Sequence, residues 1–299
     1  MKRRTFIAGT AAAATLSLTL SKSLRAMQEK AKNSKYLDTM GLQLWTVRNQ
    51  LAEDQSATLK AIADAGYKQV ELGRVVGSES IVKEARELGM KVTSSFVDWN
   101  SVLGNDGEHP ELKTIVATAK EWGLEHLVFG YIGKGHRETV DLVKKTAAKA
   151  NAFGEMCNDA DVKLCYHNHS FEFKPIDGET TGFDILMNEF DNDKCKFELD
   201  VFWAKIGGWD PIETLKKLDG RITQVHLKDL KEGAEINFDE GTVPHDAFEE
   251  CGDGSIDMAE IMKVAEEVGA LQCHVEQDQS PNPIESMTQS FAHLKGLSS

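Results

Sequence analysis

The sequence predicts a closed barrel of eight parallel β-strands, each followed by an α-helix, on the basis of three observations. Short β-like segments alternate with helical patterns throughout the chain after residue 30. Eight such units fit within about 270 residues, which matches a closed barrel better than an open sheet. Glycine ends a helix shortly before a strand at five positions, as expected of left-handed C-caps: Gly66, Gly89, Gly123, Gly220 and Gly269.

Apolar segments between turn residues predict the eight strands, and helical spacing of apolar residues predicts the helices. Strands are expected at 41–47, 69–72, 91–97, 126–132, 163–169, 196–201, 222–227 and 271–276. Helices are expected at 57–65, 81–88, 111–122, 139–160, 183–189, 211–218, 258–268 and 283–294. Asp210 and Pro211 are a typical N-cap and first-turn residue. The long connection 231–254 is expected to form part of an active-site wall.

Composition excludes several classes of protein. The chain has 299 residues, of which 41% are hydrophobic and 27% charged, as in ordinary globular proteins. The formal net charge of −14 repels phosphate backbones and anionic lipids, so no nucleic-acid partner is expected. No break in composition indicates a second domain, so residues 31–299 are expected to form one barrel. A homo-oligomer is compatible with the sequence.

The first 30 residues have the features of an export signal. Lys2, Arg3 and Arg4 precede a short apolar run at 8–20, and Ala26 is a small residue suited to a cleavage site. The Arg3–Arg4 pair followed by Phe6 resembles a twin-arginine signal. The apolar run is too short to span a bilayer comfortably. The remaining protein is therefore expected to be periplasmic or otherwise exported, without stable membrane insertion; a retained anchor is the alternative.

The cysteines do not resemble a disulfide framework. Their number is odd and their spacing shows no pairs, so free, buried thiols are expected: Cys157, Cys165, Cys195, Cys251 and Cys273.

Ionisable side chains stand at the ends of four consecutive predicted strands, where a barrel of this type carries its active site. They include His167 and His169 on the fifth strand, Asp200 on the sixth, His226 on the seventh and Glu276 on the eighth. Converging carboxylates repel each other unless a cation neutralises them. Mixed oxygen and nitrogen ligands suit one divalent metal such as Mn²⁺, Co²⁺, Mg²⁺ or Zn²⁺. One such residue alone is as often a helix cap or a wall residue, but four strand ends in a row favour a metal site.

Five segments carry a resemblance to a known family: LCYHNHSFEF, FELDVFW, GRITQVHLKDL, GDGSIDMAEIM and HVEQD. They resemble the sugar phosphate isomerase/epimerase family, which has xylose-isomerase-like barrels, and the similarity covers essentially the whole mature chain. The resemblance implies one divalent metal bound by Asp200, His226 and Glu276. Many relatives have Glu where this chain has His167. Glu172 follows shortly and is the favoured fourth ligand, with the reverse assignment left open.

Further residues are expected to contact substrate. Two-residue alternation places His169 on the same strand face as His167. Lys228 resembles a substrate-contacting lysine, although a salt bridge with Asp229 is the alternative. Glu71 is expected either to contact substrate or to form an ion pair in the core. Trp45 is expected to contact substrate. Five aromatic residues near strand ends could together form an apolar sugar platform, although ordinary packing is the favoured role for each of them singly: Trp45, Trp99, Tyr131, Trp203 and Trp209.

The resemblance implies an enzyme that removes a proton next to a carbonyl, with His167 and Glu276 as the proton-transferring groups. An isomerase or epimerase acting on a non-phosphorylated sugar is the expected function. Export favours unphosphorylated substrates, and no glycine-rich phosphate loop is evident. A lyase that acts on 3-keto-glycosides, or a keto-inositol dehydratase, would use the same site and is the first alternative. A non-catalytic sugar-binding barrel is the second.

Overall fold

The computed structural model describes residues 34–297. The predicted leader at 1–30, with its arginine pair, lies outside these residues. No helix between residues 34 and 297 combines the length and apolarity that crossing a membrane requires.

Eight parallel strands close into the predicted barrel. They are β1 (Gly41–Gln43), β2 (Gln69–Leu72), β3 (Lys91–Phe96), β4 (His126–Phe129), β5 (Lys163–His167), β6 (Cys195–Asp200), β7 (Ile222–Leu227) and β8 (Gln272–Val275). The strands follow one another around the barrel in chain order, and β8 pairs with β1. The register sets Asp200 beside His226, and His226 beside His274. Ionisable groups on β6, β7 and β8 are therefore neighbours.

The helices occupy the connections between strands. They are α1 (Arg48–Glu53), α2 (Gln55–Ala65), α3 (Glu79–Glu87), α4 (Trp99–Leu103), α5 (Leu112–Trp122), α6 (Val140–Asn158), α7 (Gly182–Glu189), α8 (Val201–Ile206), α9 (Pro211–Lys217), α10 (Met258–Glu267) and α11 (Pro283–Gly296). Single 3₁₀ turns lie at Leu44–Val47, Lys134–His136, Phe171–Phe173, Glu240–Thr242 and His245–Ala247. Two small antiparallel ribbons join Pro175–Asp177 to Thr180–Thr181 and Asp229–Leu230 to Phe248–Glu249.

The predicted chemistry of the helix ends is confirmed. Gly66 and Gly123 follow α2 and α5 with φ of 112° and 64°, which only glycine adopts without strain. Asp210 accepts a hydrogen bond of 3.0 Å from the Glu213 N–H at the start of α9, directly before Pro211. All five cysteines are unpaired and buried, as expected.

Three strands end two or more residues earlier than the sequence predicts. The predicted strand 126–132 ends at Phe129, and in the other two a side chain turns the backbone. The side-chain oxygen of Gln43 accepts a hydrogen bond of 3.0 Å from the Trp45 N–H, which starts a 3₁₀ turn in place of the predicted strand 41–47. The predicted strand 163–169 ends at His167. Beyond it, the His169 N–H donates to the carboxylate of Glu172 at 2.9 Å and closes a turn.

The barrel interior is unusually polar. Branched apolar side chains normally fill such a barrel. In this chain the hydroxyl of Thr93 lies 3.0 Å and 2.9 Å from the amide oxygens of Gln69 and Gln272. Glu71 and Glu198 are also fully buried. Buried polar groups are costly unless they have partners, so this interior needs a fully connected network.

The long connection after β7 is held in place by Asp229. The carboxylate of Asp229 accepts hydrogen bonds from the backbone N–H groups of Gly252 at 2.9 Å, Gly254 at 3.2 Å and Ile256 at 3.0 Å. Asp229 therefore does not form the salt bridge with Lys228 that was the alternative to a substrate contact of Lys228. The side chain of Lys228 turns instead towards the barrel axis.

Candidate active site

A cavity of about 800 Å³ opens at the carboxyl ends of the strands. His167, His169, Lys228 and Glu276 line it, together with Asp278. The connection 231–254 contributes further wall residues, so the predicted role of this segment in the wall is confirmed: Glu240, Gly241, Val243, His245 and Phe248. The volume lies within the range of small-molecule sites.

Lys228 is the central cation of the cavity. Its ammonium lies 2.7 Å from Glu276, 2.8 Å from Asp278 and 3.0 Å from Asp200. Burial alone lowers the pKa of Lys228, but the three carboxylates outweigh it and raise that pKa well above its usual range. Lys228 is therefore charged and belongs to the cavity, as the sequence prediction required of a substrate contact.

Glu276 is held as a carboxylate by two neighbours. Its Oε2 atom lies 2.7 Å from the Lys228 ammonium and 3.0 Å from Nδ1 of His226. Burial raises the pKa of Glu276, yet Lys228 and His226 outweigh burial and hold that pKa well below its usual range. The cavity thus presents an ionised carboxylate, whose basicity the same two neighbours reduce.

Asp200, His226 and His167 offer ligand atoms that all lie within 4.8 Å of one another. Oδ1 of Asp200 caps α8 by accepting from the Trp203 N–H at 2.9 Å. Its Oδ2 atom is buried and accepts no hydrogen bond from residues 34–297, although the Lys228 ammonium lies nearby. Burial raises the pKa of Asp200. The ion pair with Lys228 thus leaves Oδ2 of Asp200 without a hydrogen-bond donor from the described residues.

Glu172 stands apart from these groups. Its carboxylate accepts hydrogen bonds from the Tyr166 hydroxyl and from the backbone N–H of His169. Glu172 is buried but belongs to neither group of mutually close ligand atoms among the described residues. The structure thus separates Glu172 from the mutually close ligand atoms, whereas it places His167 among them.

Glu71 takes the second of its two predicted roles. It is fully buried, and its Oε1 atom lies 2.7 Å from Nε2 of His226. It lies outside the cavity wall that the described residues form. The structure therefore shows a core ion pair at Glu71 and does not support the substrate contact.

The two histidines of β5 and its turn face the cavity together, as the alternation predicts. Burial lowers the pKa of His169 to about 3 and that of His167 well below its usual range. Nδ1 of His167 lies 3.1 Å from Glu198, which fixes the ring. Nδ1 of His169 has no hydrogen-bond partner within residues 34–297. Both rings are neutral at physiological pH and able to accept a metal or a hydroxyl group.

Four of the five aromatic residues predicted as a sugar platform line the cavity: Trp45, Trp99, Tyr131 and Trp203. Trp45 is 51% exposed, which leaves its indole surface open to a ligand. Trp209 does not join them. It packs against Phe173 and Phe183 with ring centroids 5.2 Å and 5.7 Å away, so its role is structural.

Three ionisable residues of these strand ends have no role assigned from the sequence, although the structure places them in or beside the site: Asp278, Glu198 and His274. Asp278 shares Lys228 with Glu276, and its signal was the short spacing within HVEQD. Glu198 precedes Asp200 by two residues on β6, and His274 precedes Glu276 by two residues on the eighth-strand segment. Two-residue alternation therefore places each on the same face as a predicted site residue.

Comparisons with known proteins agree with this architecture. The chain is 31% identical over 156 residues to an inosose dehydratase of Clostridium botulinum (strain Eklund 17B / Type B), covering 48% of this chain and 51% of that protein. The chain thus spans about half the length of the curated relatives it matches first.

Solved structures extend the likeness over most of the chain. A sugar phosphate isomerase/epimerase from Parabacteroides distasonis superposes with a TM-score of 0.70 at 24% identity, covering 87% of this chain and 94% of that one. The IOLI protein, solved with a bound zinc atom, superposes with a TM-score of 0.64 at 17% identity, covering 87% and 96%. At these identities the likeness establishes the fold. A family model described as xylose isomerase-like TIM barrel matches residues 59–297, and on this match the chain belongs to the xylose isomerase-like TIM barrel family.

Proposed function

We propose that this protein is a divalent-metal-dependent enzyme that removes a proton next to the carbonyl of a non-phosphorylated sugar or cyclitol. The observation that carries the proposal is the ionised Glu276, which lines the cavity beside Lys228 and next to the group formed by His167, Asp200 and His226. An ionised base beside a cation-binding group is what enolisation requires.

The residues present fit a divalent metal. Oδ2 of Asp200 is a buried carboxylate oxygen without a hydrogen-bond partner in the described chain, and two imidazoles approach it. We propose His167, Asp200, His226 and Glu276 as the ligand set, a mixture of nitrogen and oxygen donors that suits Zn²⁺, Mn²⁺ or Co²⁺. Zinc in the similar IOLI structure supports this choice of metal class. A bound metal polarises substrate oxygens and offsets the negative charge that develops on them.

The protein's own groups account for the proton transfer. Glu276 accepts the proton from the carbon next to the carbonyl, because its carboxylate faces the cavity and is ionised. Lys228 supplies positive charge 2.7 Å away, and this charge stabilises the developing oxyanion in a buried site. His169 offers the unpartnered Nδ1 to a substrate hydroxyl. Trp45 and Trp99 cover the apolar face of the ring.

The charges of the cavity disfavour a phosphorylated substrate. Lys228 is already matched by three carboxylates within 3.0 Å. The remaining wall includes the acidic Asp98 and Glu240 and the basic Arg74. A phosphate group would meet mainly like charge in this cavity, whereas a neutral polyol would find hydrogen-bonding groups and aromatic surface.

Elimination of water is the reaction outcome that we favour within this class, with isomerisation or epimerisation as the second. The curated relative is named as an inosose dehydratase, which supports elimination. Elimination also needs a proton at the departing hydroxyl. Asp278 lines the same cavity and shares Lys228 with Glu276, so two carboxyl groups stand where one base and one acid are required.

A substrate panel tests the proposal. Protein loaded separately with Zn²⁺, Mn²⁺ and Co²⁺ is incubated with keto-cyclitols, 3-keto-glycosides and free ketoses, and products are followed by NMR. Loss of water or of an aglycone supports elimination, and a new sugar epimer supports the second outcome. Lys231→Met, which lies outside the cavity wall of the described chain, is the control that retains turnover. Absence of any reaction across the panel, with the sugars bound and recovered unchanged, would favour the non-catalytic barrel.

A further inference from the structure

A second group of possible metal ligands lies deeper in the barrel than the proposed site. Glu71 on β2, Glu198 on β6 and His274 on β8 are 0% exposed, and their ligand atoms lie within 4.8 Å of one another and of His226. None of these residues is part of the cavity wall formed by the described chain. The proposed function makes no use of this inner group.

The inner group places two carboxylates in one dry space. Neutral donors already orient them: Gln43 Nε2 lies 2.8 Å from Oε1 of Glu71, and Gln224 Nε2 lies 2.6 Å from Oε2 of Glu198. Such donors fix the direction of the carboxylates, whereas His226 neutralises their charge only while its ring carries a second proton. Outer hydrogen bonds of this kind are what orient metal ligands in proteins.

His274 is the independent observation that points to a ligand. Its Nδ1 and Nε2 atoms are both buried, and neither has a hydrogen-bond partner within residues 34–297. A buried imidazole without partners is costly. The barrel nevertheless makes room for it, since a Cβ atom at Gly41 on the neighbouring strand would lie 2.2 Å from Cδ2 of His274. Gly41 thus leaves space for an imidazole that forms no hydrogen bond with the described part of the chain.

The two nitrogen atoms of His226 face the two groups separately. Nδ1 lies 3.0 Å from Glu276 in the cavity, whereas Nε2 lies 2.7 Å from Glu71 and 3.1 Å from Glu198. Ligands bound to one zinc ion at ~2.0–2.2 Å lie roughly 3.0–3.5 Å apart. The 3.1 Å separation from Glu198 lies in this range, whereas the 2.7 Å separation from Glu71 is that of a hydrogen bond and lengthens by a few tenths of an ångström when an ion replaces the proton.

We propose that the inner group binds a second divalent cation through Glu71, Glu198, His274 and Nε2 of His226. Two imidazoles and two carboxylates in a closed, dry site match tetrahedral Zn²⁺. The ion neutralises the carboxylates of Glu71 and Glu198, coordinates the imidazole of His274 and holds the ring of His226 in place. It acts as a structural ion. With the metal of the proposed function on Nδ1, His226 bridges the two ions as an imidazolate, and its ring proton leaves to solvent as the second ion binds.

Metal stoichiometry tests this proposal without any activity measurement. Purified protein is stripped with a chelator, titrated with Zn²⁺ and examined by native mass spectrometry and elemental analysis. We expect two equivalents in the wild type and one in His274→Ala or Glu198→Gln. Asp200→Asn is expected to lose the other equivalent and to keep the inner one. His126→Ala removes a buried imidazole outside the group and is expected to retain both.

The outcomes separate the two sites. Saturation of the wild type at one equivalent, lost in Asp200→Asn and retained in His274→Ala, overturns the inner site and leaves the proposed function standing. One equivalent that only His274→Ala loses supports the inner site and counts against the cavity metal. If His274→Ala does not fold, the wild-type stoichiometry and Glu198→Gln still decide. A wild type that binds no zinc contradicts both, and the network is then a proton shared among His226, Glu71 and Glu198.

Discussion

The ammonium of Lys228 lies 2.7 Å from the carboxylate of Glu276, and both groups are buried at the bottom of the cavity. This contact explains why a carboxyl group with little access to water is ionised. It also means that the base of the proposed reaction depends on a lysine from the neighbouring strand's end. Removing either partner leaves an uncompensated charge in a buried site.

Lys228→Met should therefore lower the free energy of unfolding of the protein as well as its enzymatic activity. Three carboxylates lose their shared cation, and breaking a buried pair in this way costs about 3–5 kcal/mol. Urea unfolding monitored by circular dichroism measures the change. Lys231→Met is the matched control, since Lys231 pairs with the exposed Asp246 at 2.7 Å, and we expect no measurable change there. Equal stability of both variants would contradict the central role of Lys228.

Substitutions at β5 and its turn should distinguish the two candidate fourth ligands. His167→Ala is expected to lower the affinity for the cavity metal by roughly tenfold or more, because its ring lies with Asp200 and His226. Glu172→Gln is expected to keep the metal, because its carboxylate is bound to Tyr166 and His169. Competition with a chromogenic chelator measures both affinities. The reverse pattern would restore Glu172 as the ligand.

Glu172 should also give the stability a recognisable pH dependence. Burial raises the pKa of Glu172 to about 7 from 4.5, so the folded state holds this proton more tightly than the unfolded chain. Its contribution to stability is present below the unfolded pKa and is lost as the pH rises from 4.5 towards 7. Relative to wild type, Glu172→Gln should gain about 2–3 kcal/mol between pH 4.5 and pH 7.5. Parallel urea titrations that show a constant difference would refute this.

Export should depend on the arginine pair of the leader. Replacing Arg3 and Arg4 with Lys is expected to retain the protein in the cytoplasm, because twin-arginine routes read both residues. Cell fractionation with immunoblotting, and the size of the product, report the outcome. A single Lys2→Gln substitution is the control. Normal export of the double variant would indicate the general secretory route.

The sequence predicts the barrel well, because its signals are local and repeated. Strand–helix alternation and terminal glycines such as Gly66 and Gly123 depend on neighbouring residues alone, and the structure agrees. Strand ends are predicted less well, because tertiary and side-chain bonds decide them. The side chains of Gln43 and Glu172 accept hydrogen bonds that form turns directly after β1 and β5. The periodicity of the sequence does not reveal such bonds.

The site is predicted in part for the same reason. Strand-end positions identify Asp200, His226 and Glu276, since parallel strands bring their carboxyl ends together. Pairing across the barrel is not encoded locally, so the contact of Glu71 with His226, 155 positions apart, was only one of two alternatives. A salt bridge of Lys228 with the adjacent Asp229 was likewise one of two alternatives, and the partners that the structure shows include the distant Asp278.

The proposed reaction depends on proton removal by Glu276 and on a bound divalent metal. The most direct measurement is the rate of solvent deuterium incorporation next to the carbonyl of a ketose or keto-cyclitol, followed by NMR in D₂O. Metal-loaded wild-type protein should exchange that position, and Glu276→Gln with metal still bound should be slower by roughly a hundred-fold or more. Exchange that is unchanged in Glu276→Gln would contradict the role of Glu276 as the base. Exchange that is equally fast after the metal is removed would contradict the role of the metal.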